Sequence, residues 1–299
     1  MKQEPISNTM PSGQGRQAWI EGWWREEKLL IVAGLLGFIL AGLCAIWVLL
    51  FGGEVAPGGN VSKAVSFNAA LGLFLLSTAM ILPFSPLGRR SKQGFRLVYT
   101  ALALYSYGAE TIQNVRGVNP RFVRDGSGWD QAVGAGFALV AMLLVVFYVA
   151  LAISYFRRKA FRKGVGMILA IRYAMAAVIL SFAAGIWISV NQGRYTGEQG
   201  NIIWLHGLGF HALQALPFAA WLAGRVREPF RTSGKWIHLA GITYLLGLDL
   251  IAVQTINGAP VLEWSAFPLA ACVCFAVSLG IGALLLVKAY RTNGAARAA

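Results

Sequence analysis

Long apolar runs separated by short polar connections divide this chain almost from end to end. The runs fall at about 29–51, 65–84, 96–114, 131–156, 165–190, 202–223, 236–256 and 267–289. Most reach the ~20 residues that a helix needs to cross a ~30 Å hydrocarbon layer. The pattern predicts an all-α, polytopic integral membrane protein with about eight transmembrane helices in one bundle. The third run is the most polar, because Tyr105, Ser106, Tyr107 and Glu110 interrupt it, so seven spans is the alternative count. Domain organisation follows: a tail over 1–28, a transmembrane bundle over 29–290 and a second tail over 291–299. The first 28 residues lack the short apolar stretch and small-residue cleavage site of a signal peptide. Trp19, Ile20, Trp23 and Trp24, set among charges, read as an interfacial segment leading into the first span.

Composition agrees: 57% of residues are hydrophobic and 13% charged. A net charge of +14 invites a nucleic-acid reading, but the distribution opposes it. Arg and Lys concentrate in alternate connections, at 89–96, 157–163 and 225–235, and in both tails. Positive charge on one side of the bilayer encodes orientation, with both termini cytoplasmic in a plasma (inner) membrane. The expected partners are therefore the lipid bilayer, a small solute or ion, and a second subunit or membrane complex, not nucleic acid. Cys44, Cys272 and Cys274 fall within spans at spacings that suit neither a disulfide framework nor a zinc site.

The two halves echo one another. Ala45-Ile46-Trp47-Val48 matches Gly185-Ile186-Trp187-Ile188, and Leu82-Pro83-Phe84 matches Leu216-Pro217-Phe218. Gln113-x3-Gly117 matches Gln254-x3-Gly258. Paired spans run in the same sense, so the matches describe a candidate parallel four-plus-four repeat. Eight spans in such a repeat superficially resemble haem A synthase. That family carries haem-ligating histidines in both halves, whereas positions 1–205 here contain no histidine, so the resemblance ends at the topology.

Ionisable groups inside spans mark candidate chemistry, because hydrocarbon penalises them unless they are paired or functional. Helix rise places Glu110 and Gln113 of span three, His206, His211 and Gln214 of span six, and Asp249 and Gln254 of span seven at similar depths in the outer half. This is the predicted ligand- or proton-binding cluster. Pro217 predicts a bend below the histidines, and Gly207 and Gly209 predict close approach of a helix or ligand. His206, His211, Glu110 and Asp249 suit a transition metal chemically. The two histidines, however, diverge by about 140° around an ideal helix and do not face one ion squarely. Arg116, Arg121 and Arg124 follow span three, and two readings stand: they collect an anion or outer lipid headgroups, or, as the favoured reading, they pair with Glu110, Asp125 and Asp130. Arg172 is expected to snorkel, and His238 to sit at the interface.

The leading functional expectation is binding, and transport, of a small solute or ion coupled to protonation. The alternatives are a metal- or haem-dependent membrane oxidoreductase and a non-catalytic subunit of a membrane complex. No catalytic residue and no required cofactor is legible.

Overall fold

The computed structural model describes residues 14–123, 126–226 and 230–298. The outermost part of the N-terminal tail, Arg124 and Arg227 therefore lie outside the described residues. Within them the chain forms eight α-helices: α1 Gln14–Phe51, α2 Val61–Ile81, α3 Arg89–Val115, α4 Gly128–Phe156, α5 Val165–Val190, α6 Ile203–Ala223, α7 Phe230–Ile256 and α8 Ala266–Ala298. Six helical segments are long and apolar enough to cross a membrane: Glu21–Phe51, Val61–Phe84, Gly128–Phe156, Val165–Val190, Thr232–Ile256 and Ala266–Thr292. α3 and α6, which carry Glu110 and the histidine pair, are too polar to qualify on apolarity alone. The chain is thus an all-α, multi-pass membrane protein in which the polar chemistry is concentrated in two helices. The predicted interfacial segment is not a separate helix. α1 runs unbroken from Gln14 through the first span, and Trp23 and Glu27 in its polar part find protein partners.

Two compact units divide the chain, one of residues 11–83 and 87–151, the other of 84–86 and 152–299. In the first unit α1 and α2 cross at Gly34 and Gly72, where a Cβ on either glycine would fall within about 3 Å of the other's carbonyl oxygen. Such close backbone approach suits a medium that supplies no hydrophobic drive between helices. Phe74, Phe95, Tyr99 and Tyr148 form the aromatic core, with Phe95 stacked on Tyr99 at 4.9 Å and Phe74 4.6 Å from Tyr148. At one end of the unit Arg96 reaches the fully buried Glu27 through two hydrogen bonds of 2.5 and 2.8 Å. Nearby, the Trp23 indole donates to the Ala79 carbonyl at 3.0 Å.

In the second unit α5 packs along α6 and α7, and α7 along α8. Gly209 admits the Ala177–Ser181 stretch of α5, and Gly241 the ring of Tyr173. The Tyr244 hydroxyl donates to the Leu208 carbonyl at 2.7 Å, joining α7 to α6. Ser278 donates to the Ala240 carbonyl at 3.1 Å, joining α8 to α7. Pro217 lies inside α6, which continues to Ala223.

The internal repeat has a structural counterpart. β1 Glu54–Val55 pairs antiparallel with β2 Gly59–Asn60, and β3 Tyr195–Thr196 with β4 Gly200–Asn201, in the same register. Each hairpin clamps onto the turn after a later helix. Gly58 N–H donates to the Gly117 carbonyl at 2.8 Å, and Gln199 N–H to the Gly258 carbonyl at 2.8 Å. Gly117 and Gly258 both adopt positive φ, 81° and 71°, as a turn at a helix end demands. Asn60 and Asn201 each accept a hydrogen bond from the backbone N–H two residues on, starting α2 and α6. Two of the three sequence matches thus occupy like positions, one in α1 and α5 and one at the clamped turns. The third diverges: Leu82–Phe84 is a 3-10 turn after α2, whereas Pro217 stays within α6.

Candidate functional site

α3 carries half of the buried polar residues described in the first unit. Glu110 is fully buried, and Arg121, from the loop after α3, reaches back to hold both its oxygens, at 2.7 and 3.1 Å. The guanidinium lies over the Phe67 ring at 5.2 Å, which fixes its plane. One third of the Arg121 side chain is still exposed. It borders an open cleft of about 420 Å³ lined also by Pro120, Val123, Gln131, Gly134 and Ala135. Glu110 thus lies behind the arginine, while the arginine meets the cleft.

One turn further along α3, Gln113 donates to Asp130 of α4 at 3.0 Å and accepts from Arg116 at 2.5 Å. Arg116 also pairs with Asp130 at 2.7 Å, and the Ser127 hydroxyl and N–H complete the carboxylate's shell. Asn114 donates to the Glu110 carbonyl and accepts from Asn60 N–H, which ties the hairpin to α3. Deeper, Asn68 donates to Thr111 at 2.9 Å, whereas Asn68 Oδ1 and the Tyr107 hydroxyl are buried without a partner. Gly37 makes room for that hydroxyl: a Cβ there would lie 2.3 Å from it.

The predicted ligands of the second unit do not share this arrangement. His206 is half-buried against α5. Its Nδ1–H donates to the Ser181 carbonyl at 2.7 Å, and the Ser181 hydroxyl donates to the His206 carbonyl. Gly185 leaves space for the ring, which meets Phe210 edge-on at 5.0 Å. His211 is exposed, 3.1 Å from Gln214 of its own helix. Asp249 is exposed on α7. Gln254 donates to Glu263 at 2.9 Å and to the Pro260 carbonyl at 3.0 Å. Among the described residues no group of three or more His, Cys, Asp or Glu is arranged to hold a metal ion. The divergence of five-apart histidines is realised, since one turns into the protein and the other out. Gly209 serves helix packing, and Gly207 faces open space.

The loop arginines also resolve. Arg116 and Arg121 each pair with a carboxylate, and Arg124 lies outside the described residues. The sequence expectation that the loop arginines pair with Glu110 and Asp130 holds for Arg121 and Arg116, whereas the grouping of Glu110 with the histidines by depth does not. The usable signal was nearness in sequence: a loop that follows a helix directly can fold back over its last turns. Asn68, Ser181, Phe67 and the Glu27–Arg96 pair were not singled out. A lone Asn in an apolar run such as span two was the one available pointer.

Comparison with known protein families, with characterised proteins and with solved structures finds no match. The fold and the site define the class alone: an α-helical multi-pass membrane protein with a charged, buried pair at the edge of a cleft.

Proposed function

We propose that this protein binds a small anionic solute, of the carboxylate or phosphate class, in the cleft bordered by Arg121, and takes up a proton on Glu110 as it does so. The observation that carries this reading is the asymmetry of burial across one ion pair. A fully buried carboxylate faces a guanidinium that is one-third exposed to a cleft. The pair is neutral as it stands. Two of the five Arg121 N–H groups hold Glu110, which leaves donors for a second planar anion. An anion that engages Arg121 weakens the one cation that, among the described residues, touches Glu110, and an unpaired carboxylate in an apolar surround takes a proton instead. Among the described residues the other charges nearby, Arg116 and Asp130, neutralise each other. The bound increment is then one anion plus one proton, an electroneutral unit where the anion carries a single charge, which suits movement across a bilayer. The distribution of basic connections supports an orientation with both termini in the cytoplasm and this cleft on the opposite side.

Calorimetry of the purified chain with acetate, succinate and inorganic phosphate, in buffers of different ionisation enthalpy, tests the reading. At least one anion binds with uptake of about one proton, so affinity rises by up to about tenfold per unit fall in pH. Glu110→Gln keeps binding and loses the proton, and Arg121→Lys weakens binding. The proposal is wrong if no anion of the panel binds, or if Glu110→Gln takes up the same proton as the parent.

A further inference from the structure

A second basic site lies between α4 and α5, outside the cleft. Arg157, Arg158, Lys159, Arg162 and Lys163 fall within seven consecutive residues, most of them on the 3-10 turn Arg158–Lys163. Among the described residues none of them pairs with a carboxylate. Such a run of like charge is ordinarily mobile and spread out, yet here its backbone is held. Arg172, one of the few charged residues within an apolar span, donates to the carbonyls of Tyr155 at 2.9 Å, Phe156 at 3.2 Å and Arg157 at 3.3 Å. The first two are carbonyls at the end of α4, which the helix itself leaves unsatisfied, and that of Arg157, just beyond it, also accepts from Ala160 N–H at 3.1 Å. The Arg172 guanidinium also lies 4.0 Å over the Phe161 ring. Ala160 is fully buried, so the turn is seated on the protein by its middle. Lys159 and Arg162, three apart in a 3-10 turn, fall on one face, and both are exposed together with Arg157 and Arg158.

The turn joins two of the apolar spans, ending at Phe156 and beginning at Val165, so it sits at headgroup level. We propose that it is a docking site for the phosphate headgroups of anionic phospholipids, with Arg172 as the positioning residue that holds the turn in shape. Clustered unpaired cations immediately beside a membrane helix suit that chemistry and do not suit zwitterionic lipid, which offers no net charge. The site does not depend on the anion cleft, and Arg121 plays no part in it.

Native mass spectrometry of the full chain, delipidated and then titrated with phosphatidylglycerol or phosphatidylcholine, tests it. Phosphatidylglycerol is retained at least about tenfold more tightly, and inorganic phosphate at equal concentration does not displace it. The triple variant R158Q/K159Q/R162Q loses that preference, while R89Q/R90Q, at the start of α3, keeps it. The single variants R158Q and R162Q stand in should the triple fail to fold, each lowering the preference in part. R172L retains all five cations of the turn and still lowers selectivity between the two lipids, which a purely charge-counting site would not show. Equal retention of both lipids, unchanged selectivity in the triple and single variants, or displacement by phosphate alone would each overturn the proposal.

Discussion

Arg96 touches two glutamates under opposite conditions, which makes a controlled comparison within one molecule. Glu27 is fully buried and bonded at 2.5 and 2.8 Å, whereas Glu26 is 66% exposed and lies 3.5 Å away. Removing the buried partner leaves a guanidinium that is itself only 8% exposed without its main counter-charge. Breaking a buried pair from one side costs about 3–5 kcal/mol. An exposed pair at longer range is worth about 0.2–1 kcal/mol. Glu27→Gln is therefore expected to destabilise severalfold more than Glu26→Gln. The double replacement Glu27→Leu with Arg96→Met removes both charges and is expected to recover most of the loss, since a well-packed apolar pair often matches a buried ion pair. Equilibrium unfolding in mixed micelles, read by tryptophan fluorescence, gives all four free energies. The reasoning fails if Glu27→Gln and Glu26→Gln cost the same, or if the double variant is as unstable as the worse single.

Gly37→Ala should destabilise the first unit by about 1–3 kcal/mol, because its Cβ would lie 2.3 Å from the Tyr107 hydroxyl. Adding Tyr107→Phe should return part of this in thermal unfolding, and no recovery would place the strain at the Asn68 carbonyl instead. Ser181→Ala removes the hydroxyl that donates to His206 and should cost about 0.5–1.5 kcal/mol, with no change in metal content on elemental analysis. Gly117→Ala meets both a positive φ and the Ala56 carbonyl, so it should open the first hairpin to proteolysis. Gly58→Ala, with nothing closer than 3.7 Å, should leave the digestion pattern unchanged.

Helix positions were legible because hydropathy reports the apolar middle of each span directly. Span five was read at 165–190 and α5 is Val165–Val190. The ends at 51, 156, 223 and 256 also coincide, whereas the starts of α3 and α7 were read short, because those helices begin at Arg89 and Phe230. Backbone hydrogen bonding carries a helix into polar sequence that a hydropathy scan discards. Side-chain partners were legible only between neighbours in sequence, as for the loop arginines with Glu110 and Asp130. Glu110 and His206 are close in estimated depth, yet depth fixes only one coordinate, and the direction around the helix decides the partner. Glu110 turns to Arg121, and His206 to Ser181. The hairpins escaped notice because two-residue strands give no periodicity, although the Gly-Asn that opens α2 recurs just before α6.

The clamped hairpin also explains how the two halves came to differ so freely. Its fit depends on glycines meeting backbone, Gly59 at Gly117 and Gly200 at Gly258, where no side chain has room. Side chains one turn away carry none of that constraint. At matched places in the repeat the first half has Glu110 and Arg116 and the second has Ile251 and Asn257. A rigid, side-chain-free joint thus holds the same frame in both halves and leaves its surroundings free to differ, so that the first half can place two charges there where the second places Ile251 and Asn257.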